Sequence, residues 1–394
     1  MPCSGHPPSD TGLADLAPVT KTSLVYSDAY GRFDYGPEHP LRMERLGLTW
    51  RLMEAYGLTA LPNARVHLPE PATEHAVALW HTQDYLDVLK AANGGAVPEH
   101  AARCGLGPGD NPVFPGLWDA ARLCAGGSLL AAELVASGKA TRAFHFAGGL
   151  HHALPGRASG FCYVNDAVLA ILYLKSRGLR VLYVDIDAHH GDGVQHAFYE
   201  DPEVLTISTH ERGDYLFPGT GFVEEVGVGA ALGYSVNLPL EPFTDASVYL
   251  AAFEEVVPPL VGAFKPDVVV AQLGIDSHRT DPLTHLDLDV QGFARAVARI
   301  VALSPRLVAL GGGGYDLANV ARAWTAAWAA MNGIELAAEL PASFAEDARR
   351  YRFRGPTLWD PPEPPAGAKR LRAEAYVQRQ VEALRRLVFP IHRL

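Results

Sequence analysis

The sequence is poor in cysteine: four residues among 394, Cys3, Cys104, Cys124 and Cys162, with no Cys-x-x-Cys pair. That pattern supports neither a disulfide framework nor a thiolate zinc site. No uninterrupted apolar run reaches the ~18 residues that read as a membrane-spanning helix. Residues 1–20 lack both the basic and the apolar segments of a secretory signal. Positive charge is short as well, with 33 Lys and Arg against 44 Asp and Glu, a formal charge of −11. This balance argues against direct nucleic-acid binding and suits a neutral or cationic ligand. A cytoplasmic protein without membrane attachment is the expectation.

Glycine and proline, by contrast, are plentiful, at 38 and 30 residues. Such usage implies many shaped loops on a rigid scaffold. With 48% hydrophobic residues the chain can bury a sizeable core. Its length exceeds the usual single domain but is normal for a large α/β enzyme built on one sheet.

Residues 1–20, rich in Pro, Ser and Asp, read as a loose arm. Apolar runs at Ser23–Tyr26, Arg142–Phe146, Val181–Asp185, Val204–Ser208, Val268–Leu273 and Leu307–Leu310 read as strands. Helical patterns cover Leu41–Tyr56, Gln83–Ala92, Asp119–Ser137, Asp166–Ser176, Ser247–Phe264, Gln291–Leu303 and Leu317–Met331. Thr73 and Asn165 are candidate N-caps. This alternation predicts a parallel sheet covered by helices on both faces, with function in the crevice beyond the strands' carboxyl ends. Phe353 to Lys369, with Pro361, Pro362, Pro364 and Pro365, reads as a wrapping segment, and Leu371–Leu387 as a final basic amphipathic helix. There is no internal repeat and no clean boundary for a second domain.

The densest chemistry follows the run Val181-Leu-Tyr-Val. Three carboxylates and two imidazoles fall between Asp185 and Asp192. Residues two apart on a strand share a face, so Asp185, Asp187 and His189 are expected on one side. Such oxygen and nitrogen donors suit a divalent metal; the plainer reading is a polar loop capping the strand. Other reactive groups follow the other strands: His151-His152, Ser208-Thr-His210, Gly274-Ile-Asp276 with Asp281-Pro282, and Gly311-Gly-Gly-Gly-Tyr315. Asp187, His189 and Asp276 would make a three-ligand site with a position left for water. His151 and His152 need orienting partners, for which Asp185 and Asp192 are the nearest candidates. The glycine run lacks both the GxGxxG spacing and the Lys-Ser/Thr of a phosphate loop.

Taken together, these pieces closely resemble the zinc-dependent histone deacetylases, in particular class I-like bacterial members of the acetoin-utilisation type. The matching segments are Tyr35-Gly-Pro-Glu-His-Pro40, Gly149-Leu-His-His152, Ala158-Ser-Gly-Phe-Cys-Tyr163 with Asn165-Asp166, and Asp185–Gly193. They continue through Phe217-Pro-Gly-Thr-Gly221, Gln272-Leu-Gly-Ile-Asp276, Asp281-Pro282 and Gly311–Tyr315. The resemblance runs in unbroken order over roughly residues 23–332 and is weak in the last stretch.

The resemblance implies a single arginase/deacetylase-like three-layer α/β/α domain over 21–335, with 336–394 wrapped and packed on it. It implies Asp187, His189 and Asp276 as metal ligands, holding zinc, or iron(II) in the cell. His152 with Asp192 would be the general base, His151 with Asp185 the second histidine, and Tyr315 the donor to the substrate carbonyl. Phe161 and Phe217 would flank the acyl-lysine stem, with Gly160, Gly313 and Leu283 completing the tunnel and Asp110 on its rim. Arg45 would line an internal acetate channel. Structural potassium is implied near Asp185, Asp187, His189, Ser208 and Thr209, and at a second place around Phe198, Asp201, Val204 and Tyr234. The partner would be an acetylated protein or peptide. Three rivals remain: an acetylpolyamine amidohydrolase, a non-catalytic acetyl-lysine binder or acetoin-metabolism regulator, and a dinuclear manganese ureohydrolase. The last is disfavoured because Gly274 stands where a second-metal ligand would sit.

Overall fold

A computed structural model describes residues 21–304, 306–362 and 367–394. The arm expected at residues 1–20, and Pro364 and Pro365 of the proline-rich segment, lie outside the described residues. Among the described residues, eight strands form one sheet: β1 Thr22–Val25, β2 Ala64–His67, β3 Arg142–His145, β4 Val181–Asp185, β5 Val204–Glu211, β6 Ser235–Leu240, β7 Val268–Gln272 and β8 Leu307–Leu310. Their order is β2-β1-β3-β8-β7-β4-β5-β6, and every pairing is parallel.

Central strands β4, β5, β7 and β8 are buried at every position. Two-sided burial is why they appear as continuous apolar runs with no alternation. The period-two rule still divides them between the faces. Leu182, Val184, Val269 and Ala271 enter one core, and Val181, Tyr183, Val268 and Val270 the other. Helices Leu117–Ala136 and Asp166–Ser176 cover the second face. Helices Glu44–Ala55, Ala246–Phe264, Val290–Leu303 and Leu317–Met331 cover the first. The expected caps form: Thr73 Oγ1 accepts from Ala76 N–H, and the Asn165 side chain accepts from Val168 N–H.

Two strands were not anticipated. β2 is an edge strand with a half-exposed pattern, and β6 is an edge strand containing Pro239. Proline lacks the N–H of a central strand, but an edge tolerates it. β5 also runs to Glu211, so His210 lies on the strand and not in the loop after it. Among the described residues, Ala246–Phe264 alone is long and apolar enough to cross a membrane, and half of its most apolar stretch is buried in this protein. Its length reflects packing, since Phe253, Val256 and Leu260 are fully buried in the core.

The last helix, Gly367–Leu387, packs Ala373, Val377, Val381 and Leu384 inward. Burying a side chain such as Leu384 is worth about 1.5–3 kcal/mol. Arg370–Asp245 (3.0 Å) and Arg385–Glu255 (2.9 Å) tie its rim to the helix Ala246–Phe264 and that helix's N-cap.

Candidate active site

Four neighbouring strands, β3, β8, β7 and β4, converge at the middle of the sheet. Their following loops carry His151 and His152, Gly311–Tyr315, Asp276, and Asp187 with His189. Topology alone therefore gathers groups far apart in sequence into one crevice.

The strand alternation expected through His189 is not observed, because β4 ends at Asp185. Side-chain bonds to the backbone shape the loop instead. Asp185 Oδ1 accepts from Asp187 N–H (3.1 Å), Asp187 Oδ1 from His189 N–H (2.9 Å), and Asp276 Oδ1 from Ala188 N–H (2.7 Å). The loop is folded by its own carboxylates, and this brings His189 Nδ1 to 2.8 Å from Asp276 Oδ2 and 3.2 Å from Asp187 Oδ1.

Ligand atoms of Asp187, His189 and Asp276 all lie within 4.8 Å of one another, and all three residues are buried. Gln272 Nε2 and Gly313 N–H each donate to Asp187 Oδ2 at 2.7 Å, fixing the carboxylate from behind. Burial and the Asp187 charge push the Asp276 carboxyl up to about 7. Burial opposes ionisation of Asp187 too, but His151 and His189 outweigh it and hold that carboxyl well below its usual range. Burial likewise opposes a charge on His189, yet the two carboxylates raise it well above the ordinary imidazole value. The three groups thus hold a proton between them that a divalent cation would displace. Two carboxylates and an imidazole, backed by outer hydrogen bonds, fit a zinc or iron(II) ion. A second adjacent ion lacks a donor at Gly274, where even a Cβ would lie 2.0 Å from Asp187 Oδ2.

The loop after β3 is held by Asp166, which accepts from Gly149 N–H and Leu150 N–H, both at 2.8 Å. It presents the histidine pair. His151 Nδ1 is 2.7 Å from Asp185 Oδ2, and His152 Nδ1 is 2.7 Å from Asp192 Oδ1. Both Nε2 atoms then face each other at 3.0 Å. Tyr183 OH donates to the same Asp185 oxygen (2.6 Å).

Tyr315 follows the glycine run after β8. Its N–H donates to Asp281 Oδ2 (2.8 Å), and its ring stands edge-on to His189 with centroids 6.4 Å apart. Phe161 packs edge-on to Tyr315 (5.7 Å) and Phe217 edge-on to His152 (5.0 Å). Gly160 sits between them at φ +50°, where a Cβ would come 2.5 Å from His152 and 2.8 Å from Phe217. Gly313 is equally constrained, with a Cβ 2.1 Å from Asp276 Oδ2. Outside this aromatic mouth lies a groove of about 570 Å³ lined by Tyr35, Glu38, His39, Asp110, Phe161 and Leu283. The Asp110 carbonyl accepts from His39 Nε2 (3.2 Å), and the residue is exposed.

Arg45 is buried behind the site, donating to Gly312 O (2.8 Å) and Gly314 O (3.0 Å). It borders a small cavity of about 30 Å³ shared with Tyr30, Cys124 and Tyr163. At the first place expected for potassium, Thr209 Oγ1 donates to Asp185 O (3.2 Å), and Ser208 Oγ lies 2.8 Å from His210 Nδ1. At the second place the carbonyls of Phe198, Asp201 and Tyr234 accept backbone N–H groups of Asp201, Val204 and Thr206, and Lys175 pairs with the Asp201 carboxylate.

Gln272, Tyr183 and the role of Asp281 were not anticipated from sequence. Gln272 left one signal, an amide as the last residue of an otherwise apolar buried strand.

A parallel sheet with this cluster and this histidine pair at its carboxyl end places a candidate metal-binding, acid–base site in the crevice of an arginase-like α/β fold. The chain belongs to the histone deacetylase family, whose domain matches residues 39–331. It is 42% identical over 326 residues to the acetoin utilization protein AcuC of Bacillus subtilis (strain 168), covering 81% of this chain and 84% of that one. It is 39% identical over 324 residues to histone deacetylase clr6 of Schizosaccharomyces pombe, covering 82% and 79%. The crystal structure of an HDAC homolog from Aquifex aeolicus superposes with a TM-score of 0.84 at 32% identity, covering 93% of this chain and 100% of that one. An HDAC homolog complexed with SAHA matches at a TM-score of 0.83 with the same identity and coverage.

Proposed function

We propose that this protein hydrolyses the acetyl amide of Nε-acetyl-lysine in proteins or peptides. The observation that carries the reading is the juxtaposition of a buried Asp187–His189–Asp276 cluster with two carboxylate-held histidines and Tyr315 behind an aromatic mouth. A divalent ion held by the cluster, zinc or iron(II), would supply Lewis acidity at the amide carbonyl.

The chain's own groups supply the rest. His152 Nε2 takes a proton from the attacking water while Asp192 holds the Nδ1–H side of the ring. Water oxygen bonds to the carbonyl carbon, the C–N bond breaks, and a proton from the histidine pair goes to the leaving amine. Acetate and a free amine result. Tyr315 OH donates to the carbonyl oxygen as negative charge develops there, the kind of contact that contributes most to such reactions. Phe161 and Phe217 enclose the aliphatic stem, with Gly160, Gly313 and Leu283 leaving room for it. Arg45 borders the small inner cavity, and its guanidinium is the charge that departing acetate would meet there. Potassium near Ser208 and Thr209, and a cytoplasmic setting consistent with the free Cys104, Cys124 and Cys162, belong to the same reading.

A second reading, acetylpolyamine hydrolysis, is favoured by one feature: Glu38 and Asp110 on the groove wall suit a distal ammonium. Metal-reconstituted protein should be assayed for acetate release on acetylated lysine peptides and on acetylpolyamines. A higher kcat/KM on peptides supports the lysine reading, and a higher value on polyamines replaces it.

A further inference from the structure

The family match ends at residue 331, yet a side chain from beyond it reaches His278, two residues from the candidate ligand Asp276. Asp360 lies in the segment that follows the helix Leu317–Met331. Its carboxylate is buried to 8% exposure and bridges three elements. Oδ2 lies 3.0 Å from His278 Nε2 and accepts from Val290 N–H (2.9 Å), while Oδ1 pairs with Arg322 (2.9 Å). Gln291 clamps the Asp360 backbone on both sides, accepting from its N–H (2.9 Å) and donating to its carbonyl (2.7 Å).

His278 is the link to the site. Its Nδ1 faces Thr280 N–H (3.2 Å) and Asn319 Nδ2 (2.9 Å), both donors, so the ring proton is on Nε2 and is given to Asp360. The His278 backbone closes the turn between Asp276 and Asp281: its N–H donates to Ile275 O (3.1 Å) and its carbonyl accepts from Asp281 N–H (2.8 Å). One end of that turn is the candidate ligand Asp276. The other is Asp281, whose carboxylate takes Tyr315 N–H.

We propose that Asp360 is a positioning residue for this turn, acting through His278 to set both Asp276 and Tyr315; the inference rests on the metal-site reading above. Docking of the segment does not itself require the carboxylate. Leu358 and Phe344, at 0% and 1% exposure, supply apolar anchors, and Arg51–Asp347 (2.8 Å) ties the segment to the helix Glu44–Ala55. Against apolar packing a buried ion pair adds little net stability, although removing one partner of an existing pair costs stability, so the orienting role is read on folded protein. Burial opposes the Asp360 charge, but the His278 hydrogen bond and Arg322 hold its carboxyl far below the usual range.

The test uses the full chain and zinc, with affinity read by competition against a chromogenic chelator. Outer partners bonded directly to metal ligands typically affect affinity by about 10–100-fold, and Asp360 acts one residue further out, through His278. Asp360→Asn should weaken zinc by about tenfold, the lower end of that range, and lower kcat while leaving KM for an acetylated peptide within about twofold. Gln291→Ala, which frees the Asp360 backbone but keeps the carboxylate, should weaken zinc in the same direction by less. Asp347→Ala, which loosens the same segment elsewhere, should leave zinc affinity unchanged. A folded Asp360→Asn protein with wild-type zinc affinity overturns the proposal, as does an equal loss in Asp347→Ala. Should Asp360→Asn not fold, wild-type affinity in Gln291→Ala overturns it. Asp276→Ala separates the two readings: if it binds zinc normally, the metal site itself is misassigned.

Discussion

His151 and His152 face each other with Nε2 atoms 3.0 Å apart, yet they sit on opposite sides of neutrality. Burial lowers both, but Asp185 and Asp187 more than restore His151, to about 9. Burial and the neighbouring His151 charge push His152 down to about 4. Two cations cannot share this contact in a buried site, so one ring carries the charge and the other stays a free base.

It follows that His152→Ala should be nearly inactive while His151→Ala retains more activity. Removing His151 also removes the charge that depresses His152, so the acid limb of kcat/KM should move to higher pH. The pH–rate profiles of both variants check this. The reverse order of severity would transfer the base role to His151.

Tyr315→Phe keeps the ring that packs on Phe161 and removes only the hydroxyl. With one oxyanion donor lost, kcat should fall by about 10²–10³ while metal content is unchanged. Near-normal turnover would place the phenol away from the carbonyl.

Asp110 lies on the exposed wall of the groove, positioned through its carbonyl by His39. A carboxylate there can accept substrate backbone N–H groups, each charge-assisted bond being worth about 1.5–3 kcal/mol. Asp110→Ala should lower kcat/KM for acetyl-lysine peptides by roughly tenfold or more, and much less for small acylated amines lacking backbone and distal charge. Equal losses on both would make Asp110 a loop support.

Asp360 adds a pH dependence of stability. Its folded carboxyl titrates below the unfolded value of about 3.9, so its contribution is fully present above that pH and is lost as pH falls through the folded value. Urea midpoints should show wild type more stable than Asp360→Asn near neutrality, with the gap narrowing in acid. A constant gap would mean the carboxylate's ionisation is not what the fold uses.

The central strands and the loops behind the site were legible because each is a fully buried apolar run ending in glycine or polar residues. Edge strands β2 and β6 were not, since exposure blurs the first and Pro239 disguises the second. The residues of the Asp185–Asp192 loop stood out by composition, but their geometry depends on Asp276, 88 residues from Ala188. Asp360 was hidden for the same reason: His278 lies 82 residues away, and no local pattern announces a bond of that span. Local periodicity reports burial; long-range polar partners appear only once the sheet order is known.

The most direct measurement of the central claim is a metal titration of chelator-stripped protein with acetate release from an acetyl-lysine peptide as the readout. Activity should be absent at first and rise to a plateau at one zinc or iron(II) per chain. Asp187→Ala should remain inactive at any loading. Full activity in stripped protein, or a plateau reached only at two ions per chain, would contradict the account.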